Sequence, residues 1–367
     1  MTSAHLRGRR TIVSAMLGCA LAAPAIASGQ ITASLQTLAS RHLGAERSYR
    51  VDLPASYAAN ASQQRYPLLL VLDAQQHFAH VAANARFLAE QGDIPELIVV
   101  GVTSGKRVHD YTQTDWPAQW VGGGGATKFR RFIADELLPA LDRQLRTSGE
   151  RLLLGHSAAG QFALHQLATE SALFQAYLVL SPSLDWDGRL PVRELESALK
   201  RRERLSVFLY VAEDPSFGRA LNDQLALRRV LQDQAPRGLH WQVVAYPKET
   251  HGSVALQGSV DALRARYHGY RLHDDDAQVL AQVSSAGNVD VLAERYALLA
   301  RDGRQPQVPE AAYMAVAQAH FTRGETQAGV ALLRRAVAAY PWSVNSREAL
   351  ADGLARLAKE PQDAVGR

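Results

Sequence analysis

A serine, an acidic pair and a histidine occur in an order that suits nucleophilic catalysis. They are Ser157, then Glu213 and Asp214, then His251. A serine hydroxyl attacks a carbonyl carbon effectively when an imidazole removes its proton and a carboxylate orients that imidazole. The set therefore predicts acyl transfer, with Ser157 as nucleophile, His251 as base and Asp214 as acid. Glu213 as the acid, and a serine–histidine pair without an acid, remain as alternatives.

The residues around Ser157 predict a sharp turn between a strand and a helix. The apolar run Leu152–Leu154 leads into Gly155-His156-Ser157, and small residues follow. This is the pattern of a nucleophile elbow, which holds its serine in a sparsely populated backbone conformation and needs small neighbours. Gly155 meets that need, whereas Ala159 stands where the pattern has glycine, with Gly160 next. The alternative is a serine in an ordinary turn.

The elements that must position these residues form an alternating series. Strand-like runs separated by helical stretches predict an α/β fold with a mostly parallel sheet over about residues 45–270. Ligands on such sheets bind at the carboxyl ends of the strands, and the candidate serine, acids and histidine each lie just past a run. We therefore expect them to meet at one edge. The runs are Pro67–Asp73, Leu97–Val102, Leu152–Leu154, Ala176–Ser181, Leu205–Ala212 and Trp241–Tyr246.

Several collinear stretches resemble the putative esterase family of α/β hydrolases, and most of all its siderophore trilactone-esterase branch. The resemblance implies the α/β-hydrolase fold and hydrolysis of a small-molecule carboxylic ester, such as a siderophore lactone or an aryl ester. The family's range of esters leaves the substrate open. The stretches are Tyr66–Asp73, Val99–Val102, Arg107–Thr112, Gly124–Phe129, Glu136–Pro139, Gly155–Ser157, Ser181–Asp187 and Glu249–Val254.

A mechanism follows from this resemblance. His251 would deprotonate Ser157 during attack and return the proton to the leaving alcohol. The backbone N–H groups of Ala158 and of Ala74 or Gln75 would form the oxyanion hole. Activity should fall below about pH 6–7, where a histidine base becomes protonated. An acyltransferase using an alcohol in place of water, and a non-catalytic binding or scaffold protein, are the alternative functions.

Candidate substrate-binding residues lie near these elements. Arg107 could clamp a substrate carboxylate or catecholate oxygen, or form a surface ion pair with Asp110. Trp120 and Trp186, with Trp116, could line an aromatic pocket or belong to the core. His156, beside the nucleophile, is a further candidate, although packing or a supporting hydrogen bond suits it better. No metal-ligand spacing is present, so we expect neither a metal nor another cofactor.

The N-terminus predicts export. Arg7, Arg9 and Arg10 precede the apolar stretch Ile12–Ala25, and Ala25-Ile26-Ala27 is a cleavage pattern, so residues 1–27 read as a signal peptide for a periplasmic or secreted protein. The adjacent arginines suit Sec or twin-arginine export, and a lipoprotein anchor at Cys19 is less favoured. Cleavage leaves 37 basic and 36 acidic residues, no cysteine and no spanning helix. Neither a nucleic-acid partner nor a disulfide framework is expected.

The chain changes character near residue 272. Residues 28–272 are predicted to form the hydrolase domain, and residues 273–367 are helical and lack strand patterns. Leu350 and Ala351 follow Val316 and Ala317 by 34 residues, the period of a tetratricopeptide repeat. About one and a half repeats are too few for an independent solenoid. We expect this tail to pack on the hydrolase, bind a protein partner or mediate self-association.

Overall fold

A central eight-stranded sheet organises the chain. The computed structural model describes residues 35–58, 64–118, 122–215, 218–284, 291–301 and 308–359. The predicted signal peptide at residues 1–27, Cys19 and Trp120 lie outside these ranges. The strands are β1 (Leu35–Ser40), β2 (Ala45–Asp52), β3 (Tyr66–Val71), β4 (Ile98–Val102), β5 (Thr147–His156), β6 (Ala176–Leu180), β7 (Arg204–Glu213) and β8 (Arg237–Ala245).

The sheet has the mostly parallel topology that the sequence predicts. Its strand order is β1-β2-β4-β3-β5-β6-β7-β8. Strand β2 pairs antiparallel with both β1 and β4, and all the other neighbours pair parallel. Strands β3, β4 and β6 are buried along their whole length, which explains why their sequences are continuous apolar runs. The carboxyl ends of β5, β6, β7 and β8 consequently lie side by side.

Helices cover both faces of the sheet. Along β3, Leu68 and Leu70 belong to one apolar cluster, whereas Leu69 and Val71 belong to the other, as alternation in a strand requires. Helices α3 to α7 pack in the first cluster, and α1 and α8 in the second. The helices are α1 (Ala74–Glu90), α2 (Arg107–Tyr111), α3 (Ala126–Arg131), a π-helical turn (Phe132–Leu137), α4 (Leu138–Gln144), α5 (Ala158–Glu170), α6 (Trp186–Lys200), α7 (Arg219–Gln234) and α8 (Val254–Arg266).

The turn between β5 and α5 has the strained geometry predicted for it. Ser157 has φ 60° and ψ −121°, a conformation that residues other than glycine rarely adopt. A Cβ atom added at Gly155 would lie 2.2 Å from the backbone oxygen of Ala159, so only glycine fits there. A Cβ at Gly160 would lie 3.2 Å from the backbone oxygen of Gly155, so this second glycine also sits in a tight space. Ala159, where the pattern has glycine, packs fully buried in the first apolar cluster.

Gly155→Ala should lower the free energy of unfolding by about 3 kcal/mol, because the clash is with backbone atoms that cannot rotate away. Urea denaturation measures the change. Gly252→Ala is the matched control, since an added Cβ there meets nothing within 4 Å, and it should alter stability by less than about 0.5 kcal/mol. Equal stabilities for the two variants would contradict this account of the turn.

The C-terminal segment is helical, with its own apolar cluster. Tyr296 Oη donates to the backbone oxygen of Tyr270 at 2.9 Å, which ties the segment to the residues that follow α8. A groove of about 870 Å³ lies between this segment and the amino ends of β3 and β5, at the sheet edge opposite the candidate catalytic residues. The boundary at residue 272 remains a prediction, because all these described elements belong to one compact unit. The helices are α9 (Asp274–Ser284), α10 (Val291–Arg301), α11 (Glu310–Thr322), α12 (Thr326–Ala339) and α13 (Val344–Leu357).

Candidate active site

Ser157 lies at the carboxyl end of β5, between that strand and α5. Its N–H donates to the backbone oxygen of Leu180 at 2.9 Å, and its own backbone oxygen accepts from the N–H of Ser183 at 3.1 Å. The Ser157 Oγ is 3.5 Å from Ser183 Oγ. The turn is thus hydrogen-bonded to the last residue of β6 and to the segment that follows it, which holds the serine hydroxyl at the strand ends.

An acid, a hydroxyl and an imidazole form a continuous network at the ends of β6, β7 and β8. Ser181 Oγ donates to Asp214 Oδ1 at 2.5 Å and lies 2.9 Å from His251 Nδ1. A longer direct contact of 3.4 Å joins Asp214 Oδ2 to the same ring nitrogen. Sequence reasoning missed Ser181 as a functional candidate. Its position directly after β6 was the available signal.

His156 connects the network to the nucleophile turn. Its Nε2 lies 2.6 Å from the backbone oxygen of His251, and the two imidazole centroids are 4.8 Å apart. Because His156 directly precedes Ser157, this contact joins the His251 segment to the nucleophile turn. Within the described residues, the Ser157 hydroxyl and the His251 ring are not directly hydrogen-bonded. Catalytic hydrogen bonds are often long before substrate binds.

The two candidate acids differ in their surroundings. Asp214 contacts Ser181 and His251, whereas Glu213 is buried and its Oε2 accepts from Arg228 Nε at 2.9 Å and from Nη2 at 2.5 Å. Adjacent residues at a strand end point to opposite faces of the sheet, so one alone can face the imidazole. The geometry favours Asp214 as the acid.

Asp214→Asn should lower kcat by about 100-fold or more, because the neutral amide stabilises the imidazolium poorly. Glu213→Gln should keep kcat within about threefold and instead lower the free energy of unfolding by about 2 kcal/mol, since it weakens a charged hydrogen bond to Arg228. Parallel kinetics and denaturation on the two variants separate these outcomes. A larger loss of kcat in the glutamine variant would reverse the assignment.

Two further histidines on α1 extend the cluster. The His77 ring packs edge-on against His156 with centroids 5.1 Å apart, and His77 Nδ1 lies 3.2 Å from His80 Nε2. Burial lowers the pKa of His77 to about 3 and also lowers the pKa of His156. A neutral His156 can still donate from Nε2, so the bond to the backbone oxygen of His251 survives at neutral pH.

The depressed pKa of His77 predicts that the protein loses stability in acid. Between about pH 3 and 6.5 the unfolded chain binds a proton at this residue that the folded chain does not, so stability decreases as pH falls. His77→Gln should reduce the slope of the free energy of unfolding against pH by up to about 1.4 kcal/mol per pH unit. Denaturation series between pH 4.5 and 7 measure it. His273→Gln, at an exposed position, is the control. Equal slopes of unfolding free energy against pH for His77→Gln and His273→Gln would refute the prediction.

The predicted oxyanion-hole residues begin two helices at neighbouring strands. Helix α1 starts at Ala74, with Gln75 next, directly after β3, and α5 starts at Ala158 after β5. The first N–H groups of a helix lack acceptors within the helix and favour an anion. Asp73, just before α1, has φ 52°, and its N–H donates to Tyr111 Oη at 3.2 Å. The arrangement is compatible with the predicted oxyanion hole.

Arg107 links the loop before α1 to the nucleophile turn. Its Nε donates to Asp73 Oδ2 at 2.9 Å, and its Nη2 donates to the backbone oxygen of His156 at 3.4 Å. The alternative of an Arg107–Asp110 ion pair is wrong, because Asp110 pairs with Arg47 at 2.8 Å. Asp73 is fully buried, and a buried carboxylate needs a cation beside it. Substrate binding by Arg107 remains a prediction, and its side chain is 32% exposed.

Trp186, a candidate for the aromatic pocket, packs in the core. Trp186 is buried, its Nε1 donates to Thr114 Oγ1 at 3.2 Å, and its ring lies 5.4 Å from that of Trp116. Trp186 therefore matches the core alternative better than a pocket wall. Three successive residues after it, Asp187–Arg189, have positive φ values and turn the chain within α6.

Metal-binding clusters and membrane-spanning helices would each point to a different class of protein. Within the described ranges, no group of three or more His, Cys, Asp or Glu side chains is arranged to hold a metal ion. In the same part of the chain, each helix is too short or too polar to cross a bilayer.

Comparisons with known proteins agree with the fold and with the reaction class. The family model described as putative esterase matches residues 40–253, and a tetratricopeptide-repeat model matches residues 310–353, which confirms the predicted helical repeat. The crystal structure of an IroE-like serine hydrolase from Shewanella oneidensis is 29% identical, with a TM-score of 0.70 over 82% of this chain and 97% of that chain.

Curated relatives of this chain include siderophore esterases. The ferri-bacillibactin esterase BesA of Bacillus subtilis is 27% identical over 57% of this chain and 80% of its own length. A siderophore enterobactin esterase of Emericella nidulans is 31% identical over 37% of this chain and 55% of its own length. The chain thus belongs to the putative esterase family and is a serine carboxylic-ester hydrolase.

Proposed function

We propose that this chain is an exported serine esterase that hydrolyses a siderophore lactone or a related aryl ester through Ser157, His251 and Asp214. The proposal is supported by the strained Ser157 turn, which the neighbouring His156 joins to the His251 backbone, and by the Ser181-bridged contacts of Asp214 with His251. Such strain is typically kept where it exposes a reacting group.

The mechanism follows from the chemistry of these groups. His251 Nε2 accepts the proton of Ser157 Oγ as the oxygen attacks the ester carbonyl, and N–H groups at the starts of α1 and α5 stabilise the oxyanion. The imidazolium then protonates the leaving alkoxide, and an acyl-enzyme remains on Ser157. Water that gives a proton to His251 attacks the acyl carbonyl. Ser157 Oγ then leaves and takes that proton from His251, which releases the carboxylic acid and restores both residues.

Water is favoured over an alcohol as the acceptor of the acyl group. The His251 side chain is 55% exposed, so the base that activates the acceptor is open to solvent. A dedicated acyltransferase must exclude water from this position to avoid hydrolysis. The accessible imidazole therefore supports hydrolysis rather than acyl transfer to an alcohol.

The siderophore substrate is supported by the named activities of the relatives. Two of them are a ferri-bacillibactin esterase and a siderophore enterobactin esterase. Export through residues 1–27 would bring the enzyme to such a substrate outside the cytoplasm. The helical tail is proposed as a surface for a protein partner or for self-association, separate from the chemistry.

Fluorophosphonate labelling tests the nucleophile, since this probe reacts covalently with activated serines. We expect wild-type chain to be labelled at Ser157, as read by peptide mass spectrometry, and Ser157→Ala not to be. An unlabelled wild type would overturn the proposal in favour of a non-catalytic binding protein. Hydrolysis rates on enterobactin, ethyl ferulate and an acyl thioester then define the substrate class, and faster turnover of the thioester would overturn the siderophore assignment.

A further inference from the structure

The Ser181 hydroxyl lies between the candidate acid and the candidate base. The path from Asp214 to His251 through this hydroxyl has steps of 2.5 and 2.9 Å, whereas the direct contact is 3.4 Å. Both steps of the bridged path are within hydrogen-bond distance, whereas the direct contact is longer than the usual N–H···O range, so the bridged path is the main coupling. The carboxylate reaches the imidazole mainly through another side chain.

Counting protons along this path fixes the state of the ring. A serine hydroxyl has one proton, and an ionised carboxylate can only accept, so Ser181 donates its proton to Asp214. The Ser181 oxygen must then accept from His251, which places a proton on Nδ1. The neutral ring carries one proton, so Nε2 keeps a free lone pair. This is the tautomer that a base for Ser157 requires.

Ser181 adopts an unusual backbone conformation to reach this position. Its φ is 43°, in the left-handed region, and its N–H donates to the backbone oxygen of Ala212 at 2.7 Å. The preceding Leu180 accepts from the Ser157 N–H, so the same segment supports both the nucleophile and the bridge. Left-handed residues other than glycine concentrate at functional sites because the surroundings must stabilise them.

We propose that Ser181 is a positioning residue that holds His251 as the Nδ1–H tautomer and transmits the charge of Asp214 to it. The inference rests on the proposed function of Ser157 and His251. The catalytic unit is then neither a triad nor a dyad. It is a chain of four residues, in the order Asp214, Ser181, His251 and Ser157. During the reaction Nε2 of His251 carries the proton taken from Ser157 until that proton passes to the leaving alkoxide, and the Nδ1 and Ser181 protons keep their places.

Kinetics of single and double variants test the bridge. Ser181→Ala and Ser181→Gly should each lower kcat by about 10- to 100-fold with KM changed less than about threefold, and glycine accepts the positive φ if alanine prevents folding. The kcat of the Ser181→Ala/Asp214→Asn double variant should be no lower than the kcat of the less active single variant, because the two residues act as one unit. Single-variant kcat values within about twofold of wild type, or losses that multiply, would overturn the proposal.

A tautomer measurement provides a readout that a purely structural role would not change. The ¹⁵N NMR shifts of the His251 ring should report Nδ1–H in the wild type and a substantial share of Nε2–H in Ser181→Gly, and an unchanged ring would overturn the proposal. Ser259→Ala, which removes another buried serine hydroxyl, is the control for both experiments. If wild type fails to react with the fluorophosphonate, the proposed function fails. If wild type reacts and Ser181→Gly leaves rates and tautomer unchanged, the bridge alone fails.

Discussion

Ser157→Ala should reduce kcat for p-nitrophenyl butyrate by about 10⁴- to 10⁶-fold, the largest effect expected of any substitution in this chain. The methyl group cannot form an acyl-enzyme, so only the oxyanion donors and substrate binding remain to accelerate attack by water. Initial rates of p-nitrophenolate release measure the loss. The free energy of unfolding of Ser157→Ala should stay close to that of wild type, because alanine lacks only the hydroxyl oxygen of serine.

Two further measurements distinguish loss of the nucleophile from a general effect of removing a serine hydroxyl. Ser259→Ala removes a buried hydroxyl from α8, outside the candidate site, and should keep wild-type turnover. Mass spectrometry during turnover should detect an acyl adduct on wild type and none on Ser157→Ala. A Ser157→Ala variant with near wild-type turnover would remove the nucleophile assignment and, with it, the mechanism.

His251→Ala is expected to lower kcat by about 10⁴-fold or more, because the serine proton loses its acceptor. The exposure of this side chain permits a sharper test. Since 55% of it is accessible, free imidazole should be able to enter the space it leaves. Adding imidazole at millimolar concentration should therefore restore part of the activity of His251→Ala, with saturation as its concentration rises.

The matched control for this rescue is Ser157→Ala, which lacks the nucleophile and should gain nothing from imidazole beyond the uncatalysed rate. His273→Ala, at an exposed position outside the site, should retain wild-type kcat. The base assignment is wrong if His251→Ala keeps more than about a tenth of wild-type kcat without imidazole.

The fold could be predicted because its signals are local. Continuous apolar runs such as Leu68–Leu72 indicate strands buried on both faces, and the observed β3 lies in the centre of a mostly parallel sheet. The Gly155 position was predicted equally well, since a turn that strains Ser157 leaves no room for a side chain beside it. In both cases a short stretch of sequence contains the whole physical requirement.

The contacts of the site were harder to predict. Glu213 and Asp214 are adjacent acids, and only the pairing of Glu213 with Arg228 shows which of them lies free to face the imidazole. The Arg107–Asp110 pairing failed for the same reason, because Arg107 satisfies a buried carboxylate 34 positions away. The core position of Trp186 likewise involves a hydrogen bond to Thr114, 72 positions away in the chain.

The sequence by itself determined strands β3 to β8 with helices between them, and the strained turn at Ser157. It also determined that the acid and the histidine follow strand ends. Backbone propensity and apolar periodicity are properties of neighbouring residues, so these features can be predicted locally. Only the tertiary structure decided which side chains meet across those ends. These contacts depend on distances between segments far apart in the chain, where differences of a few tenths of an ångström select the hydrogen-bond partner. They are the contact of Asp214 with the imidazole, the intervening hydroxyl of Ser181, and the hydrogen bond from His156 to the His251 backbone.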